Sequence, residues 1–146
     1  MILYLDTSAL VKRYIQEAGT DEVIGLLESA GSVGSASLTK VEMAAAFEKT
    51  VRQGWVKRKI AMQAWQDFLD HWSSFTRLNT SSGTIERASS LGWKYSLRGY
   101  DAMHLASALL WQETLDTQIT MATFDRDLWQ ASKKAGLAVW VKALVS

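Results

Sequence analysis

Four carboxylates, Asp6, Glu42, Asp101 and Asp125, have the placement that chemistry would need in this 146-residue chain. Asp6 ends the apolar run Met1-Ile2-Leu3-Tyr4-Leu5, and Ser8 then opens a helical stretch. Asp125 follows a β-rich run from Gln118 to Thr123, and Glu42 and Asp101 fall in the first turns of expected helices. In a parallel sheet, strand ends and the helix starts that follow them share one edge, where open α/β sheets bind ligands. Each acid also has a structural explanation. Asp is favoured at helix starts, and Thr39 to Glu42 matches a capping box. Brought together, four carboxylates raise one another's pKa and call for a cation. Oxygen donors select Mg²⁺ or Mn²⁺ over zinc, in keeping with no cysteine and only two histidines. Acidic Mg²⁺ sites act on phosphate esters.

Other residues are weighed around this cluster. His104 lies three residues after Asp101 on the same helix face and reads as a packed or supporting histidine. His71 reads as solvated. Arg98 and Arg126 stand beside the acids and are candidates for phosphate or RNA contact. Lys57-Arg58-Lys59, Lys12-Arg13, Lys49 and Arg52 read as solvated faces. No Gly-x-Ser-x-Gly or Gly-rich phosphate loop is present, so serine-hydrolase and P-loop chemistry have no support.

The elements that position the acids follow from periodicity. A five-residue apolar run ending at Leu5 is too short for a buried helix and predicts a buried strand. Thr20 is expected to cap a second helix with Val23, Leu26, Leu27 and Ala30 inward. Residues 32–37 predict a short strand. A third helix runs to about Gln53 with Val41, Ala44, Ala45, Phe47 and Val51 inward, and a fourth spans 57–73 with Ala61, Trp65, Phe68, Leu69 and Trp72 as its stripe. Strand 75–79, helix 81–95, a turn at Leu97-Arg98-Gly99, helix 100–113, strand 118–123, helix 126–135 and strand 137–141 complete the chain. Alternating strands and helices predict an α/β fold, a mostly parallel sheet of four to five strands covered on both faces.

The bulk numbers agree with one domain over 1–146 and a substantial core. An apolar fraction of 48% suits a globular chain, and a net charge of +1 means that nucleic-acid binding needs a local basic patch. No signal peptide is expected, and no apolar run approaches the roughly 20 residues of a membrane span. A cytoplasmic location is expected. Of seven tryptophans, Trp55, Trp65 and Trp72 around the αα-hairpin either pack inside the monomer or mark an interface, hence a homodimer or a complex with a partner.

Four stretches together resemble the PIN domain family. They are Asp6-Thr7-Ser8-Ala9-Leu10 with Lys12, Tyr14 and Glu17, then Ser37-Leu38-Thr39-Lys40-Val41-Glu42, then Leu97 to Ala106, and Thr123-Phe124-Asp125-Arg126-Asp127-Leu128 with Ala131 and Gly136 to Val139. They occur in the family's order and span nearly the whole chain, whose length resembles the VapC-type toxins of toxin–antitoxin pairs. The resemblance implies a three-layer α/β/α sandwich with strand order 3-2-1-4-5. It implies a Mg²⁺- or Mn²⁺-dependent endoribonuclease that cleaves single-stranded or looped RNA by metal-activated water, leaving a 3′-hydroxyl and a 5′-phosphate. Asp6, Glu42, Asp101 and Asp125 match its metal-binding acids, and Ser8 and Thr123 match supporting hydroxyls. Asp127 is expected to be an outer supporting or solvated residue. A cognate antitoxin is the implied partner. The alternatives are a non-catalytic PIN-like binding module and a Mg²⁺-dependent phosphatase. Against the phosphatase, Ser8 stands where many such enzymes have a second Asp.

Overall fold

The computed structural model describes residues 1–141. It contains strands β1 (Ile2–Leu5), β2 (Ser32–Ala36), β3 (Thr76–Leu78), β4 (Ile119–Ala122) and β5 (Ala138–Trp140). The helices are α1 (Thr7–Leu10), α2 (Thr20–Ser29), α3 (Thr39–Arg52), α4 (Arg58–Trp72), α5 (Ser82–Tyr95), α6 (Gly99–Leu115) and α7 (Arg126–Ala135). The sheet is parallel throughout, in the expected order β3-β2-β1-β4-β5.

β1 is the central strand, and its two faces explain its apolar run. Tyr4 points into a core shared with Leu105, Leu109, Met121 and Leu128. Leu3 and Leu5 point into the opposite core with Leu10, Met43 and Phe68. All three are 0% exposed, as expected of a strand buried on both sides. α5, α6 and α7 supply the first core, and α1 to α4 the second. β2 reaches the first core by giving up a side chain. A Cβ on Gly34 would lie 2.7 Å from the Trp111 ring of α6 and 3.0 Å from the Thr76 carbonyl.

Three local expectations are corrected. Thr20 does not cap α2. Gly19 does, in a left-handed conformation, while the buried Thr20 hydroxyl accepts from Glu17 N and donates to the Ile15 carbonyl. The Thr39–Glu42 capping box does not form. Thr39 is the first residue of α3, and its hydroxyl bonds Ser35 at 2.7 Å. α3 buries Phe47 as expected, but with Met43 and Thr50 rather than Val41, Ala44 and Ala45 beside it. Met43, Phe47 and Thr50 are inward, whereas Val41 is 68% exposed and Ala44 and Ala45 are exposed. Both sets share Phe47 and have helical spacing, and turning Met43 inward instead of Val41 and the two alanines removes a larger side chain from water.

Among the described residues no helix is long and apolar enough to cross a membrane.

Candidate active site

The C-terminal edge of β1 and β4 builds the site. Asp6 closes β1 as the N-cap of α1, its Oδ1 accepting from Ala9 N at 3.1 Å. Its carboxylate also accepts from the Ser8 hydroxyl, at 2.8 Å to Oδ1 and 3.0 Å to Oδ2. Thr123, the residue after β4, donates to Oδ2 at 2.7 Å. Ser8 and Thr123, the hydroxyls that the resemblance implies as supporting, thus both donate to the Asp6 carboxylate. Ser8 Oγ also accepts from Phe124 N, and Thr123 Oγ1 from Asp125 N at 3.0 Å, so the two hydroxyls tie the ends of β1 and β4 together. Asp6 is 3% exposed, and burial raises its carboxyl above the usual carboxylate range against the pull of these donors.

Glu42 arrives from the first turn of α3. Its Oε1 accepts from the Thr7 hydroxyl at 2.9 Å and lies 2.6 Å from His104 Nε2. The buried His104, on α6, also places Nδ1 2.6 Å from the Tyr4 hydroxyl. Ala36 N–H donates to that hydroxyl, so Tyr4 directs its own proton to Nδ1. Nε2 then carries the proton facing Glu42. This buried chain runs from the centre of β1 to the candidate acid, and it bears out the reading of His104 as a packed, supporting histidine. Burial pushes the Glu42 carboxyl up, but the hydrogen bonds from His104 and the Thr7 hydroxyl outweigh it and hold it below its usual range. The second oxygen, Oε2, has no hydrogen-bond donor among the described residues.

Asp101 lies in the first turn of α6 and Asp125 caps α7, accepting from Leu128 N at 2.9 Å. The Arg98 guanidinium spans them, with Nε 3.0 Å from Asp101 Oδ2 and Nη2 2.6 Å from Asp125 Oδ2. Arg98, expected at a phosphate, is engaged with two acids here. Burial and then the Asp125 charge raise the Asp101 carboxyl, more than the Arg98 bond lowers it. Asp127 is exposed on the first turn of α7, and Arg126 is exposed beside it.

The acids are thus linked in pieces. Thr123 joins Asp6 to Asp125, Arg98 joins Asp125 to Asp101, and Thr7 joins the Asp6 turn to Glu42. Among the described residues, no three of the histidine and acidic side chains stand close enough to enclose a metal ion. The donor chemistry does suit a hard divalent cation. All four candidates offer oxygen, and Glu42 Oε2 and Asp101 Oδ1 carry no protein donor among the described residues. Arg98 supplies positive charge between Asp101 and Asp125, where buried carboxylates need it. A cavity of about 1100 Å³ reaches Glu42 and Asp101 from the α5–α6 side.

Sequence reasoning missed Tyr4 and Thr7. Tyr4 reads as one apolar residue among five, and only its hydroxyl in the middle of a two-sided buried strand signals that a polar partner must be there. Trp65 and Trp72 follow the reading in which the hairpin rings pack inside the chain. Trp72 is 6% exposed and Trp65 half-buried, and both stack with Phe68. Trp55 is exposed, and so is Trp93, which sequence reasoning did not single out.

A family model described as "PIN domain" matches residues 3–134. A relative named Ribonuclease VapC45, from Mycobacterium tuberculosis (strain CDC 1551 / Oshkosh), is 29% identical over 138 residues, which cover 94% of each chain. Among solved structures, the sarcin-ricin-loop-cleaving toxin VapC20 of Mycobacterium tuberculosis superposes with a TM-score of 0.65 at 15% identity, covering 93% of this chain and 96% of that one. FitAcB of Neisseria gonorrhoeae superposes with a TM-score of 0.62 at 16% identity, covering 95% and 96%. These two likenesses are of fold. With the family's model matched from β1 through α7, the chain belongs to the PIN domain family.

Proposed function

We propose that this chain, as one domain over 1–146 whose last five residues lie outside those described, is a divalent-metal-dependent endoribonuclease and the toxin of a toxin–antitoxin pair. The observation that carries the reading is the edge of β1 and β4, where Asp6, Glu42, Asp101 and Asp125 are held by Ser8, Thr123, Thr7, His104 and Arg98. Likeness to a ribonuclease at 29% identity over nearly all of both chains supports the substrate class.

Asp6, Glu42, Asp101 and Asp125 would hold Mg²⁺ or Mn²⁺, which supplies Lewis acidity toward a phosphodiester and its attacking water. The chain's own residues prepare the site. Ser8 and Thr123 fix the Asp6 carboxylate. His104 and Thr7 fix one oxygen of Glu42 and leave the other free. Arg98 offsets charge at Asp101 and Asp125, and a guanidinium that close is positioned to take a phosphate oxygen instead. Asp127 and Arg126, at the exposed rim, contact solvent or the RNA backbone. The structural likeness to solved proteins of toxin–antitoxin systems supports an antitoxin partner, and the proposed setting is the cytoplasm.

A second reading, a non-catalytic PIN-like module, draws on the absence of a closed metal-ligand trio among the described residues. Incubating the protein with single-stranded RNA and with a small phosphate monoester, each with Mg²⁺ and with EDTA, separates the readings. Metal-dependent cleavage of RNA alone is expected. Hydrolysis of the ester alone would make it a phosphatase, and no turnover with any metal would leave the binding module.

A further inference from the structure

The cavity that opens beside Glu42 and Asp101 extends well past the acids. It runs along the outer face of α5, past Ile85, Ser89, Gly92 and Trp93, to the α5–α6 turn and Tyr100. Ile85, Ser89 and Trp93 are spaced i, i+4, i+8 and so share one face of the helix. Leu91, Ala88 and Thr84 occupy its buried face. Trp93 is 91% exposed and Tyr100 is 60% exposed, although both are large aromatic residues.

The shape of the cavity and its charge point the same way. Its lining includes the small residues Ala88, Ser89, Gly92, Gly99 and Ala102. A Cβ on Gly99 would meet nothing within 4 Å, so the space over the turn is open. A lining of small residues beside aromatic ones suits flat rings. Its charged lining is Glu42, Asp101 and Arg98, and Arg98 already pairs with an acid. Such a lining does not attract a polyanion along its length. What it offers beyond the acids is apolar and aromatic surface, and single-stranded nucleic acid is held on such surface by stacking of its bases.

We propose that this cavity seats a nucleobase adjoining the cleaved phosphate, with Trp93 as its stacking face and Tyr100 at the mouth. The inference rests on the nuclease reading and adds to it the part of the substrate that the protein grips outside the acids. The occupant is a base of single-stranded RNA, because the same cavity ends at two of the four candidate acids. Arg98 lines the same cavity as Trp93, Tyr100 and those acids, so the phosphate next to the seated base passes the guanidinium.

The test is an abasic scan. Binding of a labelled single-stranded oligoribonucleotide is measured at low ionic strength in excess EDTA, which keeps it intact, and again with each base removed in turn. Wild type, Trp93→Ala, Trp93→Phe and Tyr100→Ala are compared, with cleavage of the parent RNA in Mg²⁺ and molecular mass by light scattering read alongside. Wild type should lose roughly 5- to 150-fold in affinity at one position, the range of a single lost base stack. Trp93→Ala should bind the parent RNA weaker by a similar factor and be indifferent to that position, and Trp93→Phe should restore most of both. Equal affinity of Trp93→Ala and wild type overturns the proposal, as does an equal loss at every abasic position. So does a Trp93→Ala protein that changes from dimer to monomer while its RNA affinity holds, since a second copy of the chain would then be the occupant. Failure of wild type to cleave RNA counts against the nuclease reading, whereas the coupling between Trp93 and one base decides the seat.

Discussion

Asp101 and Glu42 sit at one edge of the sheet with opposite electrostatics, and this has consequences for stability that can be measured. Burial and the neighbouring Asp125 raise the Asp101 carboxyl, whereas His104 and Thr7 bring Glu42 below its usual range despite its burial. A raised folded pKa means that the folded state binds more protons, so the Asp101 charge lowers stability as pH rises between the unfolded and folded values. A lowered folded pKa does the reverse: the Glu42 contribution is full above the unfolded value and is lost as pH falls through the folded one. Without metal at pH 7, Asp101→Asn should therefore melt higher than wild type and Glu42→Gln lower, each by about 1 kcal/mol. Urea melts in EDTA at pH 7 and at pH 4 check this, and the two mutants should converge toward wild type at the acid end. Shifts of the same sign in both would contradict the assignment. His104 admits a second test. Replacing it with Leu leaves the Tyr4 hydroxyl and Glu42 without their buried partner and should cost about 1–3 kcal/mol. His104→Gln, which keeps a donor toward Glu42, should recover part of that loss in the same melts. At this scale the sequence shows which acids to consider but not their partners. Tyr4 to His104 and Thr7 to Glu42 span 100 and 35 residues, and no local pattern reports contacts of that range.

At the scale of elements, legibility depended on whether one pattern had a single solution. β1 and α7 did, because a short apolar run between breakers and a helix ending at Gly136 leave little choice. α3 did not. Phe47 can be flanked at helical period by Val41, Ala44, Ala45 and Val51 or by Met43 and Thr50, and only the opposing α4 and β1 decide which set turns inward. The supposed capping box failed for a related reason: Ser35, brought up by β2, takes the Thr39 hydroxyl that the local motif needed. β2 was legible as a stretch of small residues but not in its purpose. Gly34 is bare because the Trp111 ring of α6 lies on it. Gly34→Ala must push that ring or the β3 backbone aside and should cost about 1–3 kcal/mol. Thermal unfolding of the variant measures it, and the companion Gly25→Ala, with nothing within 4 Å of the added Cβ, should melt no lower than wild type. If Gly34→Ala melts with wild type, the close approach of Trp111 does not constrain β2.

For the whole molecule, sheet order, strand direction and the covering helices follow from the alternation of elements together with the four family-like stretches, and each is present. The stripe of α4 packs inward as its period predicts, and which of the rings around the hairpin stays exposed is settled by what packs opposite. Trp72 belongs to the core beneath α3 and α4, whereas Trp55 after α3 and Trp93 on α5 are exposed. An assembled acidic site of the kind proposed also ties metal binding to stability, since a cation that binds only the folded chain stabilises it by RT ln(1 + [L]/Kd), about 2.7 kcal/mol at a hundredfold excess over Kd. Melting curves with EDTA and with excess Mg²⁺ or Mn²⁺ should show that gain in wild type and most of it lost in Asp101→Asn. The central claim is that these four carboxylates form one metal-dependent ribonuclease site. Its most direct test is cleavage of single-stranded RNA by wild type, Asp6→Asn and Asp101→Asn, each confirmed folded by circular dichroism, in Mg²⁺ and in excess EDTA. Cleavage by wild type in Mg²⁺ alone, and by neither variant, is the predicted result; full cleavage in EDTA or by either folded variant would contradict it.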